Sequence, residues 1–198
     1  MHHLHFARIV LLTPYEHILN LVLFMAGETP SRSEEGVRCD RQRVRQWATE
    51  DQHKARLAMI HAGVGFWHIR RYSTGGFYEP SNVFLSTIAI WAYGSFSQLL
   101  ASNQQTQRES SHSGSDSSAP TSIRLDRPTD DELVQLYVRQ GARMKATIAG
   151  VGNISGPKGP HKALKEGRKI LRELTNWGIG ARYIRILTRL ADRYEASP

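Results

Sequence analysis

The sequence contains a single cysteine, Cys39, and that scarcity excludes several kinds of site at once. One thiol cannot close an internal disulfide, nor can it build a zinc site that needs two or more cysteines. Such cysteine usage fits an intracellular protein. Cys39 stands among Arg38, Arg41, Arg43 and Arg45, cations that would favour its thiolate, yet no base is identifiable beside it. A G-x-S-x-G elbow is also missing, so hydrolase-type nucleophilic catalysis has no starting point.

Long apolar runs are missing as well. The most apolar stretch, residues 8–27 (RIVLLTPYEHILNLVLFMAG), holds Pro14, Glu16 and His17 in its middle, and so falls short of the roughly 20 apolar residues that a bilayer span needs. No membrane partner is expected. The stretch does not suit a signal peptide either, because its start is rich in histidine rather than Lys or Arg and no small-residue cleavage site follows. It reads as an amphipathic helix over residues 15–25, with Pro14 in the first turn, where a missing N–H costs little. The MHHLHF opening suggests a fragment of a longer chain.

Convincing apolar–polar alternation is absent, as is any internal repeat; helical periodicity is what the chain offers. Residues 47 to about 72 read as one helix whose buried stripe is Leu57, Ile60, Val64, Trp67 and Arg71. Gly63 and Gly65 would weaken it by roughly 1 kcal/mol each unless a neighbouring helix passes close by. The sequence STGG then stops the helix and Pro80 starts another, which carries Val83, Phe84, Thr87, Ile88 and Trp91 with no charge between Pro80 and Leu100. A helix apolar nearly all round belongs in the core, so STGGFYEP is a corner where two apolar faces meet. Residues 102–122 contain eight serines and no large apolar residue, the composition of a disordered linker within the domain, with phosphorylation as an alternative role.

Thr129 is placed to cap a helix, with Glu132 completing a capping box and Leu133, Leu136, Val138 and Met144 as contacts up to about residue 147. The glycine-rich AGVGNISGPKGP, residues 149–160, reads as a rigid connection. It lacks the Gly-Lys-Ser/Thr order and the preceding strand that a phosphate-binding loop requires. Pro160 opens a helix with Leu164, Ile170, Leu171 and Leu174, Gly178 stops it, and a last helix carries Tyr183, Leu187, Leu190 and Tyr194. These two are expected to form a hairpin. The reading is an all-α, irregular bundle of about six helices in a single domain over residues 1–198.

The net charge is +8, and from residue 158 onward ten Lys and Arg face four Asp and Glu, a balance of +6. Lys162, Lys165, Lys169 and Arg172 follow helical spacing, as do Arg182, Arg185, Arg189 and Arg193. Each stripe reads as a solvated face opposite an apolar one, with nonspecific nucleic acid or an acidic protein as the partner it would otherwise suit. Among the nine histidines, His2, His3 and His5 lie at a terminus expected to fray, and His61 and His68 share a helix face without a third ligand, so no metal is expected.

Residues 61–95, HAGVGFWHIRRYSTGGFYEPSNVFLSTIAIWAYGS, resemble the C-terminal part of the fungal-specific transcription factor domain found in fungal zinc-finger transcription factors. Residues 150–187, GVGNISGPKGPHKALKEGRKILRELTNWGIGARYIRIL, resemble that family's closing helical pair. The resemblance implies a large all-helical regulatory region, a nuclear location, and DNA binding by separate zinc modules nearer the N-terminus. Cys39 alone satisfies neither the two-cysteine, two-histidine finger nor the six-cysteine cluster. Sequence-specific DNA binding by this chain is therefore not expected; its partners would be other protein segments or the rest of the factor. A different class of reading is an α-helical enzyme with a pocket around His68, Arg71, Tyr72 and Tyr78, where polar and aromatic residues gather at the helix corner.

Overall fold

The structure, a computed structural model, describes residues 2–108, 121–141, 144–174 and 178–195. Within them lie α1 (His2–Leu12), α2 (Tyr15–Met25), α3 (Glu34–Thr49), α4 (Gln52–Tyr72), α5 (Glu79–Arg108), β1 (Ser122–Arg124), α6 (Asp131–Gln140), β2 (Lys145–Ile148), β3 (Gly152–Asn153), α7 (Gly159–Glu173) and α8 (Gly178–Glu195). The mainly helical class stands, with two corrections. About six helices become eight, because the N-terminus is helical as α1 and a further helix, α3, lies ahead of the one expected from residue 47, which begins at Gln52 as α4. A small sheet is added. The stretch expected as a linker over 102–122 begins as the end of α5 and finishes in β1; residues 109–120 lie outside the described residues.

The uncharged helix is central, as its composition requires. Every residue from 82 to 94 is buried, because α3, α4 and α7 pack around α5. Small residues set how closely they approach. Gly65 of α4 faces Asn82 and Ser86, with 3.4 Å from each to where a Cβ would stand. On the opposite side a methyl group at Gly167 of α7 would overlap the Thr87 side chain, and one at Gly94 would strike the Ile154 carbonyl and Pro160. The expected α7–α8 pairing is present.

Gly63 also marks a close approach, but to a loop rather than to a helix. The backbone of Leu125 and Asp126, just after β1, lies 3.0 Å from where its Cβ would be. That contact docks the sheet on α4. β1 pairs parallel to β2, with Ile123 beside Ala146, and β2 pairs antiparallel to β3, with Thr147 beside Asn153. The glycine-rich connection is thus partly strand, turning at Gly150 (φ +81°) and Gly152 (φ +78°), conformations that side chains resist. Buried Asp126 holds the turn in place: Arg124 donates to it through Nε and Nη2, both at 3.0 Å, and the Ala149 amide donates at 3.3 Å.

Two local boundaries move. The cap of α6 is Asp130, which accepts from the Leu133 amide at 3.0 Å, rather than Thr129, and the helix ends at Gln140, so Thr147 belongs to β2. In α4 the buried face is Ala55, Met59, Ala62, Phe66 and Ile69, whereas Leu57, Val64 and Trp67 of the expected stripe are half-buried and Arg71 is exposed. Ile60 of that stripe is buried too, and the face turns because both α1 and α5 lie against the helix.

Among the described residues no single helix is long and apolar enough to cross a membrane. The pair α1 and α2 would reach that length and composition together, but the chain bends by 85° between them. Both helices insert apolar side chains into the core, Ile9 from α1 and Ile18, Leu21 and Val22 from α2.

Candidate functional site

The corner singled out by the sequence is well ordered around a residue that composition did not flag. Glu79, only 1% exposed, accepts from the Ser73 hydroxyl at 2.5 Å, the Thr74 amide at 3.0 Å and the Thr74 hydroxyl at 3.4 Å. The STGG turn therefore folds back on a carboxylate in the first turn of α5, where the helix dipole favours negative charge. Around it, His68 and Tyr72 approach with ring centroids 5.2 Å apart, Trp67 and Tyr72 at 5.5 Å, and Arg71 sits 6.0 Å over the Tyr72 ring. Tyr78 pairs edge-on with Phe77 at 5.3 Å. Burial lowers the His68 pKa. Tyr72 and Phe77 are largely exposed, so the ring cluster is a surface feature.

The C-terminal arginine stripe has a partner that spacing could not reveal. Helix α2 ends in a Schellman motif at Gly27 (φ +71°), with the Gly27 amide donating to Phe24 at 3.0 Å and the Glu28 amide to Leu23 at 2.9 Å. This turn projects Glu28 toward α8. Arg189 donates to Glu28 at 2.9 Å and to the Ala26 carbonyl at 3.2 Å; Arg185 lies 3.6 Å and Arg182 4.0 Å from the same carboxylate. Guanidinium groups at the end of α2 also complement its dipole. The three arginines remain about half exposed, and Arg193, two turns beyond Arg185, is exposed as well. On α7, Lys162, Lys165, Lys169 and Arg172 are all exposed.

Beside this cluster the structure opens a cleft of about 280 Å³ between α1, α2, α5 and α8. Phe6, Leu19, Leu23 and Ile186 contribute apolar wall, while Tyr15, Ser81, Tyr183 and Arg182 supply polar atoms. Tyr183 lies flat on Phe84, centroids 4.2 Å apart and planes 8° apart, and its hydroxyl meets Ser81 Oγ at 3.2 Å. Burial raises the Tyr15 pKa, with Tyr183 and Glu16 adding to the effect, so Tyr15 remains a neutral phenol. The sequence signalled Arg182 and Tyr183 by their helical spacing. It gave no sign that four distant segments meet there.

Two further polar clusters join helices. Asp40 of α3, 1% exposed, takes His17 Nδ1 of α2 at 2.8 Å and Arg32 Nε at 2.7 Å. His5, in a helix rather than a frayed end, meets His61 of α4 with Nδ1 atoms 3.0 Å apart, and Arg8 lies 3.5 Å from the other His61 nitrogen. Burial, then His5 and Arg8, push the His61 pKa down to about 4. Among the described residues no group of three metal-ligating side chains converges. Cys39 is exposed. Compared with known proteins, the chain matches no family model, no curated protein and no solved structure.

Proposed function

We propose that this chain is a non-catalytic, helical regulatory region of a fungal zinc-finger transcription factor, working in the nucleus through contacts with other protein segments or the rest of the factor. The observation that carries the reading is the packing of the two stretches that resemble that family. Residues 61–95 form most of α4 and the buried half of α5; residues 150–187 include β3, α7 and the first half of α8. Far apart in sequence, they meet directly across the Thr87–Gly167 and Gly94–Ile154 contacts. Their contact makes them parts of one packed unit, as a single interaction region requires.

The reading assigns DNA recognition to zinc modules outside this polypeptide, since Cys39 is its only cysteine. Fused to a heterologous DNA-binding module in a fungal nucleus, the chain should change expression from a reporter carrying that module's site several-fold. A stable nuclear fusion that leaves the reporter unmoved counts against a regulatory role. Purified chain that takes up zinc stoichiometrically and binds one DNA sequence tightly in moderate salt would contradict the division of labour.

A further inference from the structure

We propose that the cleft between α1, α2, α5 and α8 binds a small apolar carboxylate, with its hydrocarbon body against Phe6, Leu19, Leu23 and Ile186 and its head at Arg182. Apolar walls with a few convergent polar groups are the common form of a small-molecule site, and about 280 Å³ falls just below the roughly 300–1,000 Å³ that such sites commonly occupy, which suits a small ligand. The walls come from four helices, so the space is a property of the folded chain rather than of one flexible segment.

The sign of the head group follows from the charges. Among the described residues no carboxylate lines the cleft, whereas a guanidinium does. The nearby Glu28 is already engaged by Arg189 at 2.9 Å and Arg185 at 3.6 Å, leaving Arg182 its most distant partner at 4.0 Å. Three cations around one carboxylate leave positive charge in excess at this end of the cleft. Arg182 is 58% exposed, so it can turn toward a ligand without breaking a buried contact. A planar guanidinium matches the two oxygens of a carboxylate, and the neutral phenol of Tyr15 and the Ser81–Tyr183 hydroxyl pair add hydrogen-bonding capacity without adding charge. One cation with neutral donors suits a monoanion. Glu16, whose carboxylate acts on Tyr15, disfavours a second negative group at that end. The inference stands on this geometry and does not depend on the regulatory reading.

The test is calorimetric titration of the full chain with decanoate, decanol and decylammonium below their aggregation limits. Decanoate should bind saturably at one site per chain, more tightly than decanol, with decylammonium weakest. Arg182→Gln should weaken decanoate about tenfold, the worth of one charged hydrogen bond, while decanol is unchanged. Arg193→Gln removes the same charge from the same helix away from the cleft and should leave decanoate within threefold of the parent, about 0.6 kcal/mol at most. Leu19→Trp, confirmed folded by circular dichroism, should fill the space and abolish binding of both ligands. No saturable decanoate binding overturns the proposal, as does equal binding of decanoate and decylammonium, equal loss in the Arg182 and Arg193 variants, or unchanged binding in folded Leu19→Trp.

Discussion

Two carboxylates organise two regions of this molecule, and they do so with different chemistry. Glu79 is buried and accepts from the Ser73 and Thr74 hydroxyls and the Thr74 amide. Glu28 is partly open and draws three guanidinium groups. A buried carboxylate that accepts several hydrogen bonds from one turn ties that turn to the start of the helix, because a bond to a charged acceptor is worth more than a neutral one. A carboxylate shared among long, charged side chains fixes little but sets the local field. The first arrangement makes the STGG corner a structural joint; the second leaves excess positive charge beside a cleft.

The largest test of that contrast is Glu79→Ala, which removes three hydrogen bonds to a charged acceptor and should destabilise the fold by about 2–3 kcal/mol in denaturant titrations. A loss below about 1 kcal/mol would mean that the corner does not depend on the carboxylate. Next in size is the α5–α7 seam. Gly167→Ala presses a methyl group into Thr87 and should cost about 1–3 kcal/mol, with Thr87→Ala in the same chain recovering part of it; a neutral Gly167→Ala would show the seam to be loose.

Acid should act on the Glu28 side first, because α1, which carries Phe6 of the cleft, is tied to α4 by His5 and His61. The folded pKa of His61, about 4, lies below its ordinary 6.5. Between those values the unfolded chain takes up a proton that the folded chain refuses, so stability falls as pH drops from 6.5 toward 4. After allowance for partial exposure the effect should be about 1 kcal/mol. His61→Gln should lose correspondingly less melting temperature than the parent between pH 7 and pH 5; identical losses would assign the acid sensitivity elsewhere. Smallest is Glu28→Gln, expected to cost about 0.5–1 kcal/mol at low salt and less at high salt. A salt-independent cost would place it with Glu79 instead.

How much of this was legible depends on how local each feature is. Helix α5 could be read because a stretch without charge after Pro80 must be buried, and residues 82–94 are. The start of α7 could be read from Pro160, but Gly178, expected as its stop, is the first residue of α8, and α7 ends at Glu173. The strands could not, since β1, β2 and β3 span three, four and two residues, too few for alternation to register. In α4 the expected stripe followed large side chains, whereas close packing against α1 and α5 selects the alanine side. Glu79 was visible only as a residue of the FYEP turn, because its importance rests on donors supplied by the reversed chain. The cleft needs α1, α2, α5 and α8 together, and no periodicity within one segment encodes a meeting of four.

Sharing makes the Glu28 hub resistant to single losses. When Arg185 or Arg189 is removed, a neighbouring guanidinium is left to take up the vacated oxygen, so each deletion alone understates the cluster. The double deletion leaves the turn at Gly27 with Arg182 alone, 4.0 Å from Glu28, and its cost should exceed the sum of the two.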